Sequence, residues 1–126
     1  MASLLAVRMT FGKGRVIVPR NAHRSIMSGL VLSGLEPLFV YPTYDSHLGG
    51  YLPVEASDIR DQLGVKDLDI GSIKAIVIVN PTYFGVARDM GDICGLAAEM
   101  GIPVIVDEAH GTLFSFSDSM PPSAIK

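Results

Sequence analysis

Apolar positions along the chain fall into two alternating patterns. RVIV (15–18), PLFVY (37–41), IKAIVIV (73–79) and IPVIV (102–106) are apolar at nearly every position and rich in β-branched residues. Such runs predict strands buried on both faces. Between them apolar residues recur every three or four positions, predicting helices over about 3–9, 22–33, 56–63 and 89–100. Pro19 ends the first strand, Asn21 is the candidate cap of the second helix, and Gly34 is its stop. Asp89 caps the last helix, Met90, Ile93, Cys94 and Ala97 form its inner face, and Gly101 ends it. Strands alternating with helices predict an α/β domain of three layers, a mainly parallel sheet with helices on both faces. A short loop, TFGKG, precedes the first strand, and the longest connection is PTYDSHLGGYLPVE. Connections of that length in compact domains are often functional.

The strands also share an ending. VIV occurs as VIVPRNAH, VIVNPT and VIVDEAH, each time delivering polar residues at a strand's carboxyl end. Ligands of open α/β sheets bind at that edge. Arg20, Asn21, His23, Asn80, Thr82, Asp107 and His110 are therefore expected along one rim, with Asp107 the deepest. An ionised carboxylate arriving directly from a buried strand is costly unless a cation or hydrogen-bond donors meet it.

Composition narrows the class. With 126 residues, 48 % hydrophobic and 18 % charged, the chain is long enough for one core-rich domain and unlike a disordered segment. A net charge of −3 with scattered basic residues points away from nucleic acid. No apolar run is long enough to span a membrane. MASLLAVRM lacks a basic leader and reads as helix, and the single Cys94 fits a reducing, cytoplasmic compartment.

Three chemistries fit poorly. DEAH (107–110) would organise magnesium in a helicase, but the partner phosphate loop is missing. Around Gly12-Lys13-Gly14, Val7 stands where the first glycine belongs and Gly14 offers no hydroxyl. His23, His47, His110 and Cys94 show no metal-ligand spacing, so no metal is expected. Cys94, on the apolar face of its helix, should be buried and inert.

What remains is a cationic ligand atom for Asp107, and a protonated pyridine nitrogen is one. RNAHRSIMSGLVLSG, VNPTYFGV and VIVDEAHG, in this order, resemble the pyridoxal-phosphate domain of the ornithine/lysine/arginine decarboxylase family, from about Gly14 to Ile125. The resemblance implies a fold-type-I large domain, pyridoxal 5'-phosphate as cofactor and a basic amino acid as substrate. It implies that Asp107 bonds the pyridinium nitrogen, His23 stacks on the ring, Ala109 lies against the other ring face and His110 lines the pocket. Asn80 and Thr82 are weaker candidates for the phenolate oxygen, or turn residues. Glu108 is expected as a structural salt-bridge partner. A parent that is a homodimer or higher homo-oligomer, binding neither nucleic acid nor membrane, is also implied.

The family's Schiff-base lysine follows a later strand. The lysines here are Lys13, Lys66, Lys74 and Lys126, none in that context, so no catalytic residue is assigned. Lys66 and Lys126 read as surface lysines. The phosphate loop and the C-terminal domain are likewise expected to be absent, which makes 1–126 a partial cofactor-binding domain. Two alternatives stay open: a non-catalytic relic or interaction module of the same fold, and another fold-type-I enzyme such as an aminotransferase. If flanking elements are missing, apolar faces are exposed, and the isolated chain should self-associate. Sedimentation velocity at low concentration checks this; a compact monomer counts against it.

Overall fold

The computed structural model describes residues 1–64, 68–116 and 119–124. In chain order the elements are α1 (Ala2–Phe11), β1 (Arg15–Pro19), α2 (Arg24–Ser33), β2 (Glu36–Val40), β3 (Tyr44–Asp45), β4 (Gly50–Tyr51), α3 (Ala56–Leu63), β5 (Ile73–Val79), α4 (Gly91–Met100) and β6 (Val104–Asp107). Short 3-10 turns cover Ile70–Ser72 and Phe114–Phe116. The surface positions expected of Lys66 and Lys126, and the end of the resemblance at Ile125, lie outside the described residues.

The four apolar runs form one parallel sheet in the order β2-β1-β5-β6. Side chains alternate between its faces, and both faces are covered. Ile17, Ile76 and Ile78 pack on one face with Ile59 of α3 and with Ile93 and Leu96 of α4. Val16, Val18, Ala75 and Val77 pack on the other with Leu4 and Val7 of α1 and with Ile26 and Leu30 of α2. This double burial explains why the strands read as continuous apolar runs rather than as alternating ones. The α/β expectation holds, and so do all four helices, with the starts of α2 and α4 shifted by two residues.

Those shifts have local causes. Ala22 N–H donates to the Pro19 carbonyl at 3.0 Å, so residues 20–22 form a turn and α2 begins at Arg24 with His23, not Asn21, as its cap. The cap of α4 is Met90, while Asp89 Oδ1, one residue earlier, accepts from Gly91 N–H at 2.6 Å. Cys94 is exposed, contrary to expectation. The buried stripe of α4 is Ile93, Leu96 and Ala97, and Cys94, turned about 100° from Ile93, falls outside it. Gly34 and Gly101 end α2 and α4 in the left-handed region, at φ 65° and 66°, where a side chain would be strained.

The long connection after β2 carries the small antiparallel hairpin β3–β4. Asp45 Oδ1 accepts from the N–H groups of His47 (2.7 Å) and Leu48 (3.0 Å), closing the turn. A Cβ at Gly50 would strike the Phe84 ring, so the hairpin seats against the loop that follows β5.

The sheet puts the carboxyl ends of β1, β2, β5 and β6 on one edge. The chain leaves β1 toward β2 on one side and later places β5 on the other. The β1/β5 boundary is thus the switch point, where crevices form in such sheets. Ile76 is fully buried and touches the α3/α4 layer, so Ile76→Ala should cost about 3 kcal/mol by lost transfer and cavity formation. Val31 is 82 % exposed, and Val31→Ser should stay within about 0.5 kcal/mol. Urea unfolding followed by far-ultraviolet circular dichroism distinguishes the two.

Candidate functional site

A cleft of about 410 Å³ opens at the carboxyl edge, lined by His23, Ser25, Val79, Tyr83, Asp107, Ala109 and His110. Three segments meet there: the entry to α2, the loop after β5 and the segment after β6. All four residues assigned to the site from the sequence, Asp107, His23, Ala109 and His110, line it.

Asp107 is the last residue of β6, an edge strand whose residues are all half-buried. It is therefore not the deepest polar group on the rim. Asn80, at 0 % exposure, and Thr82, at 3 %, lie deeper because β5 is an inner strand. Asp107 Oδ1 accepts from Ala109 N–H at 3.3 Å, a turn that orders the chain after the strand. Among the described residues no lysine, arginine or histidine forms an ion pair with it. The cation its position calls for is not supplied from these residues.

His23 is exposed and caps α2: its Nδ1 accepts from Ser25 N–H at 3.2 Å and lies 2.9 Å from Ser25 Oγ. The modest local role of a helix-start residue and a place in the cleft are thus both true of it. His110 meets Tyr83 edge-on, with ring centroids 5.2 Å apart and planes at 72°. Partial burial first, and the Asp107 carboxylate second, hold the Tyr83 phenol above its ordinary range.

The other rim residues do different work. Asn80 clamps the loop after β5, donating through Nδ2 to the Arg88 carbonyl and accepting Arg88 N–H at Oδ1, each at 3.1 Å. Thr82 Oγ1 accepts from Phe84 N–H and Val86 N–H, each at 3.3 Å, so both residues build turns. Arg20 lies over the Phe39 ring at 5.3 Å and, with Asn21, Tyr41, Pro42 and Tyr51, lines a separate pocket of about 290 Å³. Glu108 is structural, but among the described residues it acts through hydrogen bonds and not through a salt bridge. Ser123 Oγ–H donates to Oε2 at 2.7 Å and Ala124 N–H to Oε1 at 3.0 Å. Tyr83 and Ser25 escaped the sequence reading. A tyrosine four residues past a strand and a serine in a first helical turn look like ordinary loop and helix-start residues.

The family model described as "Orn/Lys/Arg decarboxylase, major domain" matches residues 2–126. The chain belongs to this family. An arginine decarboxylase of Bacillus subtilis is 38 % identical over 126 residues, 99 % of this chain and 25 % of that enzyme. One of Bacillus cereus is 37 % identical over 126 residues, 99 % of this chain and 26 % of that enzyme. The chain thus spans about a quarter of the length of these curated relatives. Among solved structures, an aminotransferase from Neisseria meningitidis aligns with a TM-score of 0.69 at 16 % identity, over 98 % of this chain and 30 % of that one. At that identity the match speaks for the fold: the family member has the three-layer architecture of fold-type-I enzymes.

In this family member the Tyr83 phenol should ionise later than an ordinary tyrosine, and Asp107→Asn should move it part of the way back. A phenol pKa raised by folding leaves stability unchanged below the ordinary tyrosine range. Stability then declines as pH rises through that range, because the folded chain holds the extra proton. Ultraviolet difference titration of wild type, Tyr83→Phe and Asp107→Asn checks both statements.

Proposed function

We propose that this chain is the ring-binding part of a pyridoxal-phosphate-dependent decarboxylase of a basic amino acid: arginine, lysine or ornithine. The observation that carries the reading is Asp107, a carboxylate at a strand end that lines a cleft and has no cationic partner among the described residues. A protonated pyridine nitrogen fits that need, because a charge-assisted hydrogen bond would set a positive charge against the carboxylate. Family membership supports the reaction class, and the name shared by the two Bacillus relatives favours arginine among the three substrates.

When bound, pyridoxal phosphate supplies an electron-accepting ring for the pair left as carbon dioxide departs. The residues of the chain prepare that chemistry. Asp107 holds a proton on the ring nitrogen. His23 offers a flat surface, and Ala109 is small enough to let the ring come close. His110, braced by Tyr83, closes part of the cleft. Glu108, tied to Ser123 and Ala124, orders the chain behind the site and touches no reacting group in this reading.

The comparison of two neighbouring acids tests the proposal. In the active polypeptide carrying this segment, Asp107→Asn should lower kcat/KM by about 30-fold or more, equivalent to about 2 kcal/mol of transition-state stabilisation. Glu108→Gln should retain most activity. His23→Ala should chiefly weaken cofactor retention, read as loss of cofactor absorbance on dialysis. Carbon dioxide release from arginine, lysine and ornithine measures the activity; equal losses in Asp107→Asn and Glu108→Gln would remove Asp107 from its role.

A further inference from the structure

The contact between His23 and Ser25 decides more than how α2 begins. A main-chain N–H can only donate, so the 3.2 Å bond from Ser25 N–H requires a bare lone pair on His23 Nδ1. The Ser25 hydroxyl, 2.9 Å from the same nitrogen, is in that state a second donor sharing the one Nδ1 lone pair. A proton on Nδ1 would instead face the Ser25 N–H head-on. The neutral ring therefore carries its proton on Nε2, and Nε2 has no partner among the described residues. Both residues line the cleft that holds Asp107.

We propose that Ser25 is a positioning residue of this cleft, holding His23 in one orientation as the Nε2-protonated imidazole. His23 then presents to the occupant a flat neutral ring and a single donor at Nε2, suited to an aromatic ligand bearing acceptor oxygens. The division of labour with Asp107 follows from charge. Asp107 favours a cationic ring nitrogen, and a neutral imidazole beside that ring avoids the like-charge repulsion an imidazolium would add. The consequence for ligand binding rests on the proposed cofactor reading; the tautomer does not.

The experiment separates these two layers. In the ¹⁵N-labelled chain at mildly alkaline pH, long-range proton–nitrogen correlation spectra should show His23 with a pyridine-type Nδ1 and a pyrrole-type Nε2. Ser25→Ala, which removes the hydroxyl donor and leaves the main-chain N–H, should weaken that pattern by admitting a fraction of the Nδ1-protonated form, and Ser25→Thr should restore it. A wild-type His23 protonated at Nδ1, or a Ser25→Ala spectrum identical to wild type, would overturn the proposal. Titration with pyridoxal phosphate, followed by its absorbance, should show affinity falling about threefold or more in Ser25→Ala and recovering in Ser25→Thr. A tautomer change without an affinity change would uphold Ser25's hold on His23 and count against the cofactor reading.

Discussion

The cleft hangs on Asn80. Its N–H donates to the Asp107 carbonyl at 3.1 Å, joining the chain just past β5 to the end of β6. Its side chain simultaneously binds the Arg88 main chain in both directions. Arg88 then reaches outward, donating to the Val54 carbonyl and to Asp92 Oδ2, each at 2.7 Å. One fully buried amide thus connects the strand that presents Asp107, the loop that presents Tyr83, the lead-in to α3 and the first turn of α4. A buried amide with these partners satisfied is favourable, and one left unsatisfied is costly, so the network fixes a single arrangement.

That arrangement places a carboxylate where its charge is tolerable. β6 is an edge strand, and Asp107 is half-buried rather than enclosed. Water can still reach the site, which lowers the cost of an unpaired charge. Several polar groups of the neighbouring segments are committed elsewhere. His23 is bonded to Ser25, Arg20 lies over Phe39, and Arg88 is tied to Asp92 and Val54. The side chains of Arg20 and Arg88 are thus engaged away from Asp107, and the carboxylate is available to a ligand.

The strands were legible because double burial writes itself as uninterrupted β-branched runs, with no competing pattern in RVIV or IKAIVIV. Helix starts were less so. Asn21 is the better cap by residue type, yet a turn between Pro19 and Ala22 pushes the cap to His23, because the strand exit sets the direction of the chain. Cys94 shows the same limit. An apolar residue beside a helical stripe can belong to it or flank it, and only the position of the sheet beneath α4 decides. The hairpin in the long connection had its turn residues in plain view, Asp45 and the pair Gly49-Gly50, but its strands of two residues each are too short to show a period.

By itself the sequence determined the α/β class and the carboxyl-edge location of the polar residues, while the grouping of His23, Asp107, Ala109 and His110 came from the resemblance of its motifs to a known family. Pattern and motif are local, and parallel strands carry their ends to one edge whatever their order. Strand order, by contrast, is a property of nonlocal pairing. Only the tertiary structure made β6 an edge and β5 interior, and so put Asn80 beneath the rim and Asp107 halfway out of it. Only it brought Tyr83 against His110, because that contact depends on loop paths that short-range spacing does not encode, and only the turn between Pro19 and Ala22 made His23 the cap that meets Ser25.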